Sequence, residues 1–247
     1  MQNEVIETVR GLIRQSRQIV FFGGAGVSTA SNIPDFRSSD GLYNRVQQSA
    51  YSTEEMLSHD FLVSQPELFF QNLRENLIFP DAKPNAAHIA LARLERLGRL
   101  QGIVTQNIDG LHQKAGSENV IELHGNIARF YCTACGRPYP LADIMKSERA
   151  PRCSVCRGSI RPDVVLYQEM LDGDVLQAAV DLISAADVLI VGGTSLVVYP
   201  AAGLLQHYCG NKLVLINRDP TPYDSQADYL IQGNIAEILT ELMDGVD

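Results

Sequence analysis

Several short runs of uninterrupted apolar residues constrain the fold of this chain more than any other feature of its sequence. The clearest are Ile19–Phe22, Val188–Val191 and Leu213–Ile216. A strand with water on one face alternates apolar and polar residues, whereas a strand of a parallel sheet is covered by helices on both faces and reads as a continuous apolar run. The runs therefore predict an α/β fold: a doubly wound, Rossmann-like parallel sheet.

Segments with helical periodicity lie between the apolar runs. The first, 1–16, places Val5, Val9, Leu12 and Ile13 on one face. Further helices are predicted at 55–79 with a break near Pro66, and at 85–97, 174–184, 200–208 and 235–242. The other predicted strands are 102–105, 120–123, 164–167 and 229–231. Such alternation of strand and helix is typical of a parallel sheet.

The alternation stops between residues 130 and 161. Two CxxC pairs lie in this segment, Cys132 with Cys135 and Cys153 with Cys156, with 17 residues between them. This spacing is typical of a structural zinc site, in which four thiolates surround the ion and leave no position for a catalytic water. We therefore predict one structural Zn²⁺ in a small inserted module. Two unrelated reduced pairs and a redox pair are the alternatives. The fifth cysteine, Cys209, is predicted to be a buried apolar residue.

Composition and charge argue against several classes of function. The chain has 247 residues, of which 45% are hydrophobic, and a net charge of −9. An acidic chain is not expected to bind nucleic acid directly. No apolar run reaches the roughly 18 residues that a membrane span needs, and the N-terminal segment is not a secretory signal. We therefore expect a cytoplasmic protein with no membrane partner, in which the cysteines are reduced. The sequence does not indicate an oligomeric state.

The first apolar run ends in a glycine-rich turn. Gly24, Ala25 and Gly26 follow the predicted strand, where glycines let the backbone approach a pyrophosphate. A hydride-transferring dehydrogenase also needs a second strand that ends in Asp or Glu about 20 residues later. The segment 47–52 forms no such strand, and the chain runs instead into the sequence PDFR at 34–37. The turn therefore indicates a dinucleotide site with chemistry other than hydride transfer.

Four further motifs each follow a predicted strand. They are TQNIDGLH at 105–112, HG at 124–125, GTS at 193–195 and Asn217. With GAGVS, PDFR and the cysteine module, all in this order, they make the chain resemble the sirtuin family of NAD-dependent protein deacylases, and its compact bacterial members in particular. The resemblance runs from about residue 17 to residue 239.

The resemblance implies NAD as a co-substrate and a set of residues that bind it. The residues expected to contact NAD are Ala25, Thr29, Phe36, Arg37, Gln106, Ile108, Asp109, His124, Thr194, Ser195, Asn217 and Ile235. Phe36 is expected to shield the reactive ribose, Arg37 to contact phosphate and Asp109 to bind the carboxamide of nicotinamide. The implied catalytic residues are His124 as general base and Asn107, which holds the ribose and an ordered water. Imidazole suits a base because its pKa lies near neutral pH.

Some of these residues have ordinary structural alternatives. Asp109 could cap the helix that follows it, and His124 could be a structural histidine. The remaining histidines, all interpreted as structural, are His59, His88, His112 and His207.

The chain departs from the family pattern at two positions. Asn32 and Gln168 stand where the family usually has glycine. Asn tolerates the left-handed backbone better than most residues, so we expect the turn at Asn32 to persist. Gln168 falls where a substrate peptide is expected to pair with the enzyme backbone, and we expect it to alter peptide preference. Tyr167 beside it would form an aromatic wall for the lysine stem.

A second comparison with the family concerns the acyl group. Members that remove acidic acyl groups carry a Tyr-x-x-Arg pair, whose arginine binds the acyl carboxylate. The matching positions here hold Phe70 and Leu73, and Arg74 follows one residue later. The sequence therefore predicts an apolar pocket for an acetyl or another uncharged acyl group.

The predicted function is NAD-dependent deacetylation of lysine in proteins or peptides, in which the acetyl group passes to ADP-ribose and nicotinamide is released. Protein ADP-ribosyltransfer and non-catalytic NAD sensing are the alternatives. We expect one catalytic domain over 1–247. Its NAD-binding, Rossmann-like parts are predicted at about 1–129 and 162–247, and its zinc module at about 130–161.

Overall fold

The computed structural model describes residues 2–36, 41–45 and 50–246. The helices are α1 (Gln2–Gln15), α2 (Leu42–Arg45), α3 (Thr53–Met56), α4 (His59–Ser64), α5 (Pro66–Asn76), α6 (Ala86–Arg96), α7 (Leu111–Lys114), α8 (Leu141–Ile144), α9 (Gly173–Ser184) and α10 (Ile235–Leu242). The strands are β1 (Ile19–Gly23), β2 (Leu100–Thr105), β3 (Val120–Glu122), β4 (Gly125–Cys132), β5 (Pro138–Pro140), β6 (Ile160–Val164), β7 (Val188–Gly192), β8 (Leu213–Asn217) and β9 (Tyr229–Gln232). Segments of 3₁₀ helix lie at Ala25–Val27, Thr29–Ser31, Ala201–His207 and Asp224–Gln226.

Six strands form a parallel sheet in the order β3-β2-β1-β7-β8-β9. Every neighbouring pair in this sheet is parallel. The order runs one way from β1 through β2 to β3 and the other way through β7, so the switch point of the sheet lies between β1 and β7. Ligands of such sheets bind at the carboxyl ends of the strands on either side of the switch point. The predicted α/β fold is confirmed.

Both faces of this sheet are buried, as the continuous apolar runs predicted. Along β1, Ile19 and Phe21 belong to a cluster with α1, α6 and α10. The alternate residues Val20 and Phe22 belong to a second cluster with α9 and the 3₁₀ segment Ala201–His207. At roughly 25 cal/mol per Å² of buried apolar surface, these two clusters supply the main stabilisation of this part of the chain.

Helix caps tie the sheet to the glycine-rich turn. The side chain of Asn85 accepts a hydrogen bond from the N–H of Ala87 (2.9 Å) and begins α6. Its amide also donates to the carbonyl of Val27 (2.8 Å) and to Ser31 Oγ (2.9 Å). The start of α6 therefore holds the turn after β1 in place.

A second, antiparallel sheet has the order β5-β4-β6. At one end Gly125 pairs with Val164, and at the other Cys132 pairs with Ile160. Strand β4 begins directly after His124, so the sheet starts at the HG motif and ends at the cysteines. Its buried residues pack with α4 and α5 in a third apolar cluster.

Three details of the predicted structure are wrong. The strand expected at 164–167 lies instead at Ile160–Val164, because beyond Val164 the backbone bonds to loops: Val165 N–H donates to His124 O (3.0 Å) and Tyr167 N–H to Leu57 O (3.0 Å). The helix expected at 200–208 is a 3₁₀ segment. Cys209 is exposed and not buried. Within the described ranges, no helix is long and apolar enough to cross a membrane.

Candidate active site

A cavity of about 890 Å³ lies over the carboxyl ends of β1 and β7, where Gly23 and Gly192 pair. The predicted NAD and catalytic residues that line it are Ala25, Thr29, Phe36, Gln106, Asn107, Ile108, Asp109, His124, Thr194, Ser195, Asn217 and Ile235. Arg37 lies outside the described residues. The structure therefore brings together in one cavity residues that are separated by up to about 200 positions in the sequence.

Two glycine turns pack against each other on the β1–β7 side of the cavity. The N–H of Gly26 donates to the carbonyl of Gly193 at 2.8 Å. A Cβ atom at Gly26 would lie 2.8 Å from both Cα and O of Gly193, which is closer than van der Waals contact allows. The turn needs glycine at this position because a larger residue would push the two loops apart.

A hydrogen-bond network joins the glycine turn to the QNID motif. Asn107 Nδ2 donates to Ser28 Oγ (3.1 Å), and the Ser28 hydroxyl donates to Asp109 Oδ2 (2.7 Å). Asp109 Oδ1 accepts from the N–H of Leu111 (2.8 Å) and so also caps α7. The two interpretations of Asp109 are therefore compatible, because its second oxygen faces Ser28 on the cavity side.

The sequence analysis missed Ser28. It is almost fully buried, lines the cavity and links Asn107 with Asp109. The available signal was its position, directly after Gly24–Val27 at the end of a strand, where a buried hydroxyl must find a partner.

His124 is held by its backbone neighbour. Its Nδ1 lies 2.9 Å from the carbonyl oxygen of Gln106, which can only accept, so Nδ1 carries the proton and Nε2 is the basic nitrogen. Burial lowers the pKa of His124, and the hydrogen bond to Gln106 offsets this only in part. The side chain is therefore neutral at neutral pH, with a lone pair on Nε2, as a general base requires.

Two further histidines form a buried pair. The rings of His88 and His112 are 4.8 Å apart, and both side chains are almost fully buried. Burial lowers the pKa of His88 to about 4, although the charge of Asp109 opposes the shift. Burial, with the neighbouring His88, lowers the pKa of His112 to about 3. Neither ring lines the cavity, so both fit the structural interpretation.

The segment predicted to meet a peptide has an unusual backbone. Gln168 has φ +75°, a left-handed conformation that favours glycine. Its side chain accepts from the N–H of Asp60 and donates to Asp60 Oδ2, each at 3.0 Å. Tyr167 lines the cavity, and its hydroxyl lies 2.7 Å from that of Tyr43. Asn32, the other departure from the family pattern, has φ +62°, which confirms the left-handed turn expected there.

The apolar side of the cavity is lined in part by α5 and the residues that follow it. Leu73, Leu77 and Phe79 face the cavity. Arg74 is not part of its lining and donates to the carbonyl oxygen of Glu148, in the cysteine segment. Phe70 is buried in the third apolar cluster. No arginine from α5 therefore lines the described cavity.

The four cysteines of the two CxxC pairs converge. All four Sγ atoms lie within 4.8 Å of one another, with 3.4 Å between Cys132 and Cys156 and 3.7 Å between Cys135 and Cys153. A tetrahedral zinc ion with Zn–S bonds of about 2.3 Å separates its sulfur ligands by about 3.8 Å. The hydroxyl of Tyr139 donates to Cys153 Sγ, and this bond and backbone N–H groups lower the pKa of Cys153 to about 5. The donor set and the spacing of the four sulfur atoms fit zinc.

Known proteins resemble this chain over nearly its whole length. A model of the Sir2 family matches residues 24–200. A curated protein from Clostridium acetobutylicum, named NAD-dependent protein deacetylase, is 56% identical over 235 residues, which cover 95% of this chain and 96% of that protein. A protein of the same name from Staphylococcus aureus (strain N315) is 46% identical over 243 residues, which cover 98% of this chain and 99% of that protein.

Solved structures are similar to this chain in fold as well as in sequence. One, described as Sir2 with a p53 peptide and NAD⁺, has a TM-score of 0.85 and 41% identity, with 97% of each chain covered. Another, described as Sir2 with a deacetylated p53 peptide and 3′-O-acetyl ADP-ribose, has a TM-score of 0.88 and 40% identity, again with 97% of each chain covered.

Proposed function

The chain belongs to the Sir2 family, and from that premise we propose that it is an NAD-dependent protein lysine deacetylase, which transfers the acetyl group to ADP-ribose and releases nicotinamide. The observation that carries this proposal is the cavity at the switch point of the sheet. There the glycine turn, the QNID motif and a neutral His124 with a basic Nε2 meet. Relatives named for this activity support it.

We assign different residues of the cavity to different parts of NAD. NAD, when bound, supplies the activated bond between nicotinamide and ribose and the ADP-ribose that receives the acetyl group. We assign the carboxamide of nicotinamide to Ile108 and Asp109, and the adjacent ribose to Gln106 and Asn107. Thr194, Ser195, Asn217 and Ile235 would hold the adenosine half, while Ala25 and Thr29 line the turn beside the phosphates and Arg37 contacts phosphate.

We assign proton transfer to His124. Its Nδ1–H is engaged with the carbonyl of Gln106, so Nε2 is the atom that takes a proton from the ribose hydroxyl system. Phe36 lines the same cavity and would exclude water from the reacting ribose carbon. The network from Asn107 through Ser28 to Asp109 fixes the amide and the carboxylate before NAD arrives, which lowers the ordering cost of binding.

We assign one structural zinc ion to Cys132, Cys135, Cys153 and Cys156. The four thiolates complete a tetrahedron, so the metal takes no part in the reaction. The proposed domain organisation keeps the parts near 1–129 and 162–247 as one NAD-binding unit, with 130–161 as the zinc module. A cytoplasmic location belongs to the same proposal, because clustered metal-binding thiols need a reducing environment.

The acyl group removed is uncharged. Leu73 faces the cavity, while Arg74 donates to Glu148 O and is not part of the lining. An acidic acyl group would bring a carboxylate to the apolar surface beside Leu73 and Leu77, where its desolvation would be uncompensated. We expect acetyl-lysine peptides to react and succinyl-lysine peptides to react at least about tenfold more slowly.

One assay tests the proposal. The protein is incubated with NAD and an acetyl-lysine peptide, and nicotinamide and deacetylated peptide are measured by mass spectrometry. We expect equal amounts of nicotinamide, deacetylated peptide and O-acetyl ADP-ribose. ADP-ribose attached to protein without loss of acetyl would favour ADP-ribosyltransfer. NAD binding without any product would favour a sensor.

A further inference from the structure

The zinc end of the molecule has a charge opposite to that of the rest. Residues 130–161 hold six lysine and arginine side chains against two carboxylates, a formal charge of +4. The whole chain carries −9, so the remaining residues together carry −13. Basic side chains are therefore concentrated in this segment of an acidic protein.

Four arginines of this segment have no acidic partner among the residues that the structure describes. Arg161 pairs with Glu169 and Lys146 with Asp143. Within the ranges that the structure covers, no carboxylate lies within ion-pair distance of the others, all of which are exposed: Arg137, Arg149, Arg152 and Arg157. We call these four residues the arginine surface.

Three residues of the arginine surface lie close to the cysteines in sequence, and exposed apolar residues lie in the same segment. Arg137 lies over the ring of Tyr139, whose hydroxyl reaches Cys153, and Arg152 and Arg157 flank the second CxxC pair. Val155, between those cysteines, is 64% exposed, and Met145 is 41% exposed. Arginine beside exposed aliphatic side chains is the composition of a protein-binding surface.

The surface lies at a defined distance from the active site. Strand β4 runs from Gly125, next to His124, to Cys132, and at about 3.3 Å per residue it spans roughly 20–25 Å. This distance exceeds two Debye lengths at physiological ionic strength, so charges around the active site have little effect on the potential at the cysteine end. The carboxylate of Glu67 lies nearer, because it accepts from the N–H of Ala150, and it leaves the segment with a net positive charge. An extended chain of about eight residues covers the same distance.

We propose that the arginine surface binds an acidic segment of the protein substrate while the acetyl-lysine of that substrate occupies the active site. The proposal rests on the deacetylase function, and it adds a substrate class: proteins with an acidic segment eight or more residues from the modified lysine, or at an equivalent distance on their folded surface. Linkage of the two contacts raises the effective concentration of the lysine at the active site.

The occupant is a protein segment and not a nucleic acid for two reasons. A long polyanion would extend beyond the arginine surface towards a body of charge −13, which would repel it. All residues of 130–161 are described, and none of their aromatic side chains is exposed for base stacking: Phe130 is buried, and Tyr131 and Tyr139 are half-buried. A short acidic segment needs only the charges at the cysteine end.

The test uses acetyl-lysine peptides with a Glu- and Asp-rich tract. The spacer between lysine and tract is either three or ten residues of Gly and Ser, and a third peptide carries Gln and Asn in place of the acids. We expect the ten-residue spacer to lower the peptide KM about fivefold or more relative to the other two, with kcat unchanged, because the added contact binds ground state and transition state alike. The advantage disappears in 0.5 M salt.

Charge-reversal variants locate the effect. Arg149→Glu with Arg157→Glu should abolish the advantage, and Arg149→Lys with Arg157→Lys should retain it. Both side chains are exposed and form no ion pair within the described residues, and Arg17→Glu with Lys83→Glu makes the same change of net charge on exposed body positions. Zinc content is measured for every variant. If the double variant loses zinc, Arg149→Glu alone, which is not adjacent to a cysteine, gives the same comparison.

Direct binding separates this proposal from the deacetylase function. A fluorescent acidic peptide without acetyl-lysine should bind the zinc-loaded protein and not the charge-reversed variant, as measured by anisotropy, whether or not any peptide is deacetylated.

Equal KM for all three peptides, or equal loss in the body control, would overturn the proposal. Stronger competition by DNA of equal charge, or a charge-dependent dimer in gel filtration, would also overturn it. Variants whose only defect is loss of zinc would overturn it too, because the arginines would then merely balance the thiolate charge.

Discussion

The parallel sheet and the cysteine segment of this chain are stabilised in different ways. Strands β1 and β7 are buried along their whole length between two apolar clusters. Strand β5 has no buried residue, and the few apolar residues buried in 130–161 pack outward, in the cluster with α4 and α5. One region therefore has a core of its own, whereas we expect the other to need the metal and its neighbour to fold.

The candidate active site and the cysteine cluster also lie in different regions of the molecule. The cavity, with His124 and Asp109, lies at the end of the well-buried sheet. The cysteines lie at the far end of β4. A change in either region should therefore affect activity by a different route, and the two routes can be separated by measurement.

The largest effect is expected from loss of the metal. Cys153→Ala removes one of four thiolates, and structural zinc contributes about 10–16 kcal/mol to small metal-dependent peptides, which is as much as the whole stability of many domains. We expect 130–161 to unfold, zinc to be lost and activity to disappear, while circular dichroism retains most of the α/β signal. Cys209→Ala, an exposed cysteine outside the cluster, is the control and should change nothing. A zinc-free and fully active Cys153→Ala protein would show that the segment folds without metal.

The second prediction concerns His124, whose loss should lower activity without affecting the metal site. His124→Ala should lower deacetylation about 10²–10⁴-fold, because a positioned general base is lost. Zinc content, thermal stability of the cysteine segment and NAD affinity should stay close to those of the unaltered protein. The exposed His207→Ala serves as control. Near-normal turnover by His124→Ala would remove the base from this site.

The sheet was predictable because burial on both faces leaves a continuous apolar signal. Ile235–Leu242 and the runs at 19–22, 188–191 and 213–216 all form the predicted elements to within one residue at either end. The second sheet gave no such signal: β6, IRPDV, alternates buried and half-buried residues, and the more apolar residues after it led to the strand wrongly expected at 164–167. The 3₁₀ segment Ala201–His207 was wrongly predicted as α-helix because helical periodicity does not distinguish 3.0 from 3.6 residues per turn over two turns.

The site was predictable where motifs follow strands. Residues such as Asn107, Asp109 and His124 were identified because their motifs follow predicted strands and resemble those of the sirtuin family, which implied their roles. Ser28 was missed because its role depends on bonds to Asn107 and Asp109, about 80 residues away. The bonds from Gln168 to Asp60 were unpredictable for the same reason. Such contacts follow from tertiary packing and leave no local pattern.

The third prediction concerns pH and tests the sheet alone, because 130–161 contains no histidine. His88 and His112 have pKa values of about 4 and about 3 in the folded protein, against about 6.5 in the unfolded chain. Between these values the unfolded chain binds more protons, so the free energy of unfolding rises with pH and is lower at pH 5 than at pH 7. The difference is about 2 kcal/mol for each histidine.

The variant His112→Phe isolates this effect from the acid lability of the zinc site. Its ring lies 6.2 Å from that of Phe21, and neither ring nitrogen of His112 has a hydrogen-bond partner within the described residues. We expect urea unfolding to show about 2 kcal/mol less change between pH 5 and pH 7 in the variant. His207→Asn should behave like the unaltered protein. An unchanged pH dependence in His112→Phe would mean that His112 binds protons in the folded protein as it does in the unfolded chain.

The smallest effect is expected at the junction between the two regions. Gln168→Gly relieves a left-handed backbone at φ +75°, which costs a residue with a side chain about 1–2 kcal/mol. It also removes two exposed hydrogen bonds to Asp60, each about 0.5 kcal/mol because water can replace them, and adds the entropy of a glycine in the unfolded chain, about 0.5–1 kcal/mol. These opposing contributions leave a change of within about 1 kcal/mol in the free energy of unfolding. Asp60→Ala keeps the strained backbone and the bond from the N–H of residue 60 to Gln168, and it loses only the bond from Gln168 Nε2, so it should lower the free energy of unfolding by about 0.5 kcal/mol. Peptide KM should change in Gln168→Gly while the KM for NAD stays constant, since residue 168 lies beside Tyr167, which is proposed to face the peptide, and not in the glycine turn. A loss of more than about 3 kcal/mol in Gln168→Gly would instead show that the bonds to Asp60 anchor the segment after β6 to α4 more strongly than exposed hydrogen bonds ordinarily do.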